Sequence, residues 1–183
     1  MLDGRKALHA AVKKYAGESA PIQRCQFHKR RNVLDHLTDG QKPSIAKKLN
    51  VAYGLEDHGT AKLALTQLHR DLMDLNPSAA RSLAEGLDET LAVHRLQVAA
   101  QLRKSLASTK VIESAFSVVE RVCRNVKRWH NGDQRERWVG SRLLLAEKQF
   151  RRVQGYKQIP NLLRELEAIA PSKSEVVKRK KAS

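Results

Sequence analysis

Two acidic residues and one Cys–His pair have the side-chain types that metal-dependent chemistry needs. Asp3 and Glu113 each stand near the start of a predicted helix, so each also has a structural interpretation, as a helix cap or as a charge at the positive helix end. Cys25 and His28 have the spacing of metal ligands, but structural zinc needs four protein ligands and the sequence shows no second pair. At this stage both interpretations of each position stay open.

A capping box does not account for Glu113. That motif needs serine or threonine three residues earlier, and Lys110 stands there. We expect Ser108 or Thr109 to cap the helix instead, which leaves Glu113 in the first turn beside the apolar face.

A concentration of basic residues predicts an anionic partner. Segment 121–157 carries 11 basic and 3 acidic side chains, a net charge of +8 out of +16 for the whole chain. Arg121, Arg124 and Arg128 have helical spacing, with Lys127 beside them, and we expect this face to contact DNA phosphates. A solvated helix face is the alternative, although such faces usually carry both signs.

The remaining composition narrows the class of protein. Residues 1–38 have a net charge of +5 and residues 39–98 a net charge of −1, and a uniformly basic ribosomal-type protein would not have that neutral centre. No apolar stretch approaches the roughly 20 residues that span a bilayer, so we expect no membrane partner. The two cysteines, Cys25 and Cys123, argue against a disulfide framework and for a reducing cytoplasm, where we expect the protein to associate with the nucleoid.

Apolar periodicity and an aromatic content of only 4% predict a mainly helical chain. The best strand candidate is Ile22–Phe27, and we expect a disordered basic tail over 171–183. In the helix that begins near Val111 we expect an inward face of Ile112, Ala115, Phe116, Val119, Val122, Cys123 and Val126. Helices are predicted near 3–15, 28–37, 43–55, 60–75, 77–96, 111–129, 134–152 and 160–169. We expect Leu65, Leu68, Leu72 and Leu75 to form one apolar stripe, and Asn76 and Pro77 to be the N-cap and the first residue of the helix that follows.

Several segments, in this order, resemble Mutator-type bacterial insertion-sequence transposases. The first are Leu2-Asp3-Gly4 and the run Ile22–Leu34, whose Gln-Arg-Cys-x-x-His-Lys pattern is specific. Further along, segment 108–114 resembles the Ser-Thr-Asn-x-Ile-Glu-Ser motif of that family, with Lys110 in place of the asparagine. Segments 123–129 and 146–156 also match, so the resemblance covers almost the whole chain.

The resemblance implies an RNase H-like catalytic domain whose Asp-Asp-Glu triad holds two divalent cations, Mg²⁺ or Mn²⁺, for strand cleavage and transfer at insertion-sequence ends. It implies that Asp3 is the second aspartate and Glu113 the glutamate, both of them metal ligands. Cys25 and His28 are a signature of the family, which we interpret as structural. The first aspartate should lie upstream of Asp3, in sequence that this chain does not include, so we expect the chain to be inactive alone.

We therefore expect a mainly α chain that is the remnant of an RNase H-like α/β domain with an all-helical insertion. The intact family member is expected to be a homo-oligomer that binds transposon ends and target DNA. A non-catalytic helical DNA-binding protein that competes with full-length transposase is the second hypothesis, and a general RNA-binding protein is the third. The expected divisions are a partial RNase H-like segment (1–38), the insertion (39–100), the catalytic and basic helices (101–170) and the tail (171–183).

Overall fold

The computed structural model describes residues 1–4, 6–124, 126, 128 and 130–169. Within these residues the chain is mainly α-helical, as the sequence predicts, and no strand is formed. None of these helices is both long and apolar enough to cross a membrane. The helices are α1 (Lys6–Ala16), α2 (Gln26–Leu34), α3 (Lys42–Gly54), α4 (His58–Leu75), α5 (Pro77–Ala84), α6 (Leu87–Thr90), α7 (Ala92–Arg95), α8 (Ala100–Leu106), α9 (Lys110–Cys123), α10 (Gly132–Glu147), a 3₁₀ turn (Tyr156–Gln158) and α11 (Ile159–Ile169).

The chain divides into two compact units. The first consists of Met1–Ser108 together with the residues from Gln154 onward, and it contains α1–α8 and α11. The second, Thr109–Val153, contains α9 and α10.

A leucine-rich core holds the first unit together between α2 and α6. Leu65, Leu68 and Leu72 form the buried stripe of α4, as their spacing predicts. Leu75 was expected to continue this stripe, but it is 44% exposed because α4 ends there and the chain turns. The core consists of Val33, Leu37, Ile45, Leu49, Ala52, Ala61, Leu65, Leu68, Leu72, Ala79, Ala80, Leu83 and Leu91.

The tight turn between α4 and α5 follows from two residues. Asn76 caps α5, since its side-chain oxygen accepts the Ser78 and Ala79 N–H groups at 3.0 and 3.1 Å. Pro77 occupies the first position of α5, where its missing N–H costs no hydrogen bond. Both positions were predicted from the sequence.

The extended segment before α2 is hydrogen-bonded on two sides. On one side, the Leu2 N–H donates to the Gln23 carbonyl at 2.9 Å and the Cys25 N–H donates to the Leu2 carbonyl at 2.8 Å. On the other side, the Arg24 N–H donates to the Glu89 carbonyl at 2.9 Å. This segment therefore joins the N-terminal residues to α6.

Two buried cations, Arg24 and Lys29, bind the carboxyl end of α5. The Lys29 ammonium, with the residue only 2% exposed, donates to the Ser82 and Glu85 carbonyls. A guanidinium nitrogen of Arg24 donates to the Glu85 carbonyl at 2.7 Å. The last carbonyls of a helix have no partner inside it and carry the negative end of its dipole. We call Arg24, Lys29 and this helix end the α5 clamp.

Gly86 leaves room for the Arg24 side chain at the end of α5. Its φ of +63° lies in the left-handed region that side chains rarely adopt, and a Cβ there would stand 2.6 Å from the Arg24 Nη1. A glycine is therefore required both for the turn after α5 and for the approach of the guanidinium.

A second glycine, Gly155, allows the chain before α11 to pack closely against α8. Gly155 has a φ of +74°, and a Cβ there would lie 2.5 Å from the Leu102 backbone nitrogen in α8. The Ser105 hydroxyl donates to the Gln154 carbonyl at 3.3 Å. The turn that begins α11 is thus fixed against α8 by close backbone packing.

The strand predicted at Ile22–Phe27 is wrong. Only Arg24 pairs, in a single parallel bridge with Leu2, and the helix α2 begins at Gln26. One bridge does not extend into a ladder, because the N–H groups of Arg24 and Gln26 donate to the Glu89 and Ala107 carbonyls instead.

Several predicted helix ends are also wrong. The helix expected over 77–96 is divided into α5, α6 and α7, with Gly86 at the first break. The helix expected over 134–152 ends at Glu147, and the helix expected to reach Trp129 ends at Cys123. The tail expected over 171–183 lies outside the described residues.

We expect Leu65→Ala to lower the free energy of unfolding by about 2–5 kcal/mol, because it leaves a cavity in a fully buried site. Urea denaturation measures this loss. Leu63→Ala is the matched control on the same helix, since Leu63 is 71% exposed and its truncation should change stability by less than about 0.5 kcal/mol. Equal losses in the two variants would contradict this core.

The α5 clamp predicts a pH-dependent stability. Burial, with the nearby charge of Arg24, lowers the pKa of the Lys29 ammonium from 10.5 to about 8. Between these values the unfolded chain holds the proton and the folded chain does not, so this group makes stability rise with pH. In urea unfolding, the free energy of unfolding of wild type should therefore increase relative to that of Lys29→Met as pH rises from about 8 toward 10.5.

Lys47→Met is the control, because Lys47 is exposed on α3. Its stability difference from wild type should stay constant over the same pH range. A constant difference for Lys29→Met as well would show that Lys29 is not titrated differently in the folded chain.

Candidate functional site

Asp3 directly follows a residue of the one parallel bridge. Leu2 pairs with Arg24 in parallel, and the Cys25 N–H donates to the Leu2 carbonyl at 2.8 Å, so Asp3 begins where the two segments are hydrogen-bonded. The helix α1 begins at Lys6, three residues after Asp3, and the interpretation of Asp3 as a helix cap stays open.

Cys25 and His28 lie at the start of α2. Cys25 occupies the N-cap position, is 1% exposed and makes no side-chain capping hydrogen bond. His28 is half-buried in the first turn, with its ring against Phe27 at 5.6 Å between centroids and 72° between planes. Burial of the thiol is compatible with a structural role, which stays a prediction.

Glu113 lies in the first turn of α9 and is exposed. Its backbone N–H donates to the Thr109 carbonyl at 2.9 Å, and one of its carboxylate oxygens accepts the Thr109 hydroxyl proton. Thr109 is at the N-cap position but makes no side-chain capping hydrogen bond. Thr109 is thus at the predicted N-cap position, but its hydroxyl donates to the glutamate and does not accept a backbone N–H of the first turn.

The two candidate carboxylates belong to different units, Asp3 to the first and Glu113 to the second. Their oxygens are the hard donors that Mg²⁺ and Mn²⁺ prefer, so the donor chemistry fits these cations. Among the described residues, no group of three or more His, Cys, Asp or Glu side chains is arranged to hold a metal ion. Asp3 and Glu113 thus fit part of a divalent-cation site rather than a complete one.

The apolar face of α9 is less buried than its periodicity predicts. Val119 is buried, but Ile112 and Phe116 are exposed, Phe116 by 52%. Within the second unit α9 packs against α10, and a two-helix hairpin covers only one side of each helix. The expectation that Ile112 and Phe116 face a core is wrong for this reason.

The candidate DNA-contacting arginines are exposed but do not share one helix. Arg121 is in the last turn of α9, and Arg124 is the residue that follows its final turn. Arg128 lies beyond the helix, so the predicted helical face of Arg121, Arg124 and Arg128 is wrong in its third member. Lys127 lies outside the described residues.

Sequence reasoning missed the two buried cations of the α5 clamp. The sequence analysis counted Arg24 and Lys29 only as part of the net positive charge. In the structure both side chains are buried and donate to carbonyls at the end of α5. A signal was present for Lys29, since it lies four residues before the buried Val33 and four after Cys25, on one face of α2. The role of Arg24 had no such signal, because its partners are 61 residues away in the sequence.

Comparison with known proteins gives one consistent result. The family model described as "Transposase, Mutator family" matches residues 1–153. The transposase for insertion sequence element IS6120 from Mycolicibacterium smegmatis is 31% identical to this chain over 97 residues. That match covers 53% of this chain and 29% of the relative, so the chain spans well under half of the length of that relative.

No solved structure matches the chain. The family assignment therefore rests on the sequence. The family model matches most of the chain, and the matched region includes Asp3, the Cys25 and His28 pair, and Glu113. The chain belongs to the Mutator family of transposases.

Proposed function

We propose that this chain is part of a transposase that cleaves and joins DNA at the ends of an insertion sequence, on an RNase H-like catalytic domain. The observation that carries the proposal is the position of Asp3, directly after the parallel Leu2–Arg24 bridge, in a chain whose residues 1–153 match the family. The insertion over 39–100 is all-helical and packs on the segment that carries Cys25 and His28.

Asp3 and Glu113 would hold divalent cations, Mg²⁺ or Mn²⁺, together with a third carboxylate, the first aspartate of the triad. When bound, two such cations activate the attacking oxygen and stabilise the leaving oxygen of an in-line phosphoryl displacement. Water as the attacking group nicks the element end, and a 3′-hydroxyl joins that end to target DNA. The chain supplies carboxylates for this purpose and a basic surface for DNA.

We propose that the chain alone does not catalyse transposition. The third carboxylate has to come from a longer form of the protein or from another chain, and the matched relative is more than three times as long as the aligned region. Oligomerisation of the intact protein and association with the nucleoid belong to the same proposal.

The second unit provides the basic surface. Thr109–Val153 carries 11 basic and 5 acidic side chains, a net charge of +6. Arg121, Arg124 and Arg128 are exposed, and with Lys127 they are the residues we assign to phosphate contacts. This charge also favours a second candidate function, a non-catalytic DNA-binding protein that competes with full-length transposase for the same ends.

We expect Arg124→Ala combined with Arg128→Ala to reduce the salt dependence of DNA binding. Each lost phosphate contact should lower the slope of log affinity against log salt by about 1, so the double variant should lose about 2. Fluorescence anisotropy on duplex DNA at several salt concentrations measures the slope.

The matched control is Lys47→Ala combined with Arg70→Ala, which removes the same charge from exposed positions of the neutral insertion. The control should leave the slope near the wild-type value. If both double variants lower the slope equally, net charge rather than the Arg124 and Arg128 surface determines binding.

Glu113→Gln tests the catalytic role. In a protein extended with the sequence upstream of Met1 in its own reading frame, we expect Mn²⁺-dependent nicking of element-end DNA. The substitution should lower nicking by more than about 100-fold, the upper range for residues that only support a metal ligand. The chain without the extension should not nick.

Glu120→Gln is the control, because Glu120 is an exposed carboxylate two turns further along α9. It should nick like the unsubstituted extended protein. Nicking that survives Glu113→Gln, or an extended protein that binds element ends without cleaving them, would favour the non-catalytic function.

A further inference from the structure

We propose that Thr109 is a positioning residue that holds the Glu113 carboxylate in the orientation in which it binds a divalent cation. The inference rests on the proposed function, since it assigns a task to a neighbour of the proposed ligand. Thr109 itself touches neither the cation nor DNA in this scheme.

The geometry of the pair differs from that of an ordinary helix start. A threonine at the N-cap position usually accepts a hydrogen bond from a backbone N–H of the first turn. Thr109 makes no such bond, and its hydroxyl donates to a Glu113 carboxylate oxygen instead. The hydroxyl proton is therefore used to orient a charged side chain one turn further along.

The two residues differ in how much they are confined. Thr109 is 7% exposed, whereas Glu113 is exposed to solvent. A β-branched side chain has few χ1 rotamers, and burial restricts it further. The fixed hydroxyl of Thr109 can thus restrict the rotamers that the longer glutamate side chain adopts.

A hydrogen bond from Thr109 is compatible with cation binding by Glu113. An ionised carboxylate has about four acceptor sites on its two oxygens, so one donor does not occupy the group. Carboxylates that bind metals are commonly held by such outer hydrogen bonds, whose loss costs roughly 10- to 100-fold in metal affinity.

Mn²⁺ titrations of the protein extended with the sequence upstream of Met1, followed by the EPR signal of free Mn²⁺, test the inference. Thr109→Val keeps the shape but removes the donor, and we expect it to weaken Mn²⁺ binding by roughly 10- to 100-fold. Thr109→Ser keeps the donor and should bind close to wild type. Ser117→Ala removes a hydroxyl on the same helix that donates to the Ser114 carbonyl, and should also bind like wild type.

Glu113→Gln separates the failure of this inference from the failure of the proposed function. If Mn²⁺ binding is unchanged in Glu113→Gln, then Glu113 is not a ligand and the proposed function loses its metal site. If Glu113→Gln weakens binding but Thr109→Val does not, only the positioning role is overturned. Equal weakening by Thr109→Ser and Thr109→Val would also overturn it, because the hydroxyl would then not matter.

Circular dichroism of each variant shows whether α9 and the rest of the chain remain folded. If Thr109→Val does not fold, Thr109→Ala replaces it, and the comparison with Thr109→Ser is unchanged. Weaker binding in Thr109→Ala than in Thr109→Ser supports the role of the hydroxyl, and equal binding overturns it.

Discussion

The α5 clamp is the interaction on which the arrangement of the first unit depends. Arg24 and Lys29 come from the segment that carries Cys25 and His28, whereas the carbonyls they bind belong to the helical insertion. Burying two cations is costly unless each finds acceptors. Here the orphan carbonyls at the end of α5 provide them, and the Glu89 carboxylate lies 3.4 Å from the Arg24 Nε. The clamp thus provides partners for the helix end and for most of the cationic N–H groups, although the buried Arg24 Nε has the Glu89 ion pair and no hydrogen bond.

The position of Asp3 follows from the same arrangement. Arg24 is held by the insertion through its side chain and through its N–H, which donates to the Glu89 carbonyl. Its neighbours bind Leu2 by two backbone hydrogen bonds. Asp3 follows Leu2 directly, so the contacts of Arg24 with Glu85 and Glu89 help to set where this residue lies.

The second unit has a carboxylate at one end of α9 and exposed arginines at the other. Glu113 lies at the start of α9, with its carboxylate bound by a buried hydroxyl. Exposed arginines lie at and beyond the other end of the same helix. Positive side chains near a helix carboxyl end are also favoured by the dipole, so Arg121 and Arg124 stabilise α9 and remain available to an anionic partner.

The sequence by itself determined the helical class, the core stripe of α4, the Asn76-Pro77 turn and the family, because local periodicity, capping chemistry and motif order are properties of neighbouring residues. Only the tertiary structure decided which charges are buried, since the partners of Arg24 and Lys29 lie more than 50 residues away. It also decided that Phe116 is exposed and that Thr109 binds Glu113 rather than a backbone N–H. Periodicity defines the apolar side of a helix, but coverage of that side depends on what packs there.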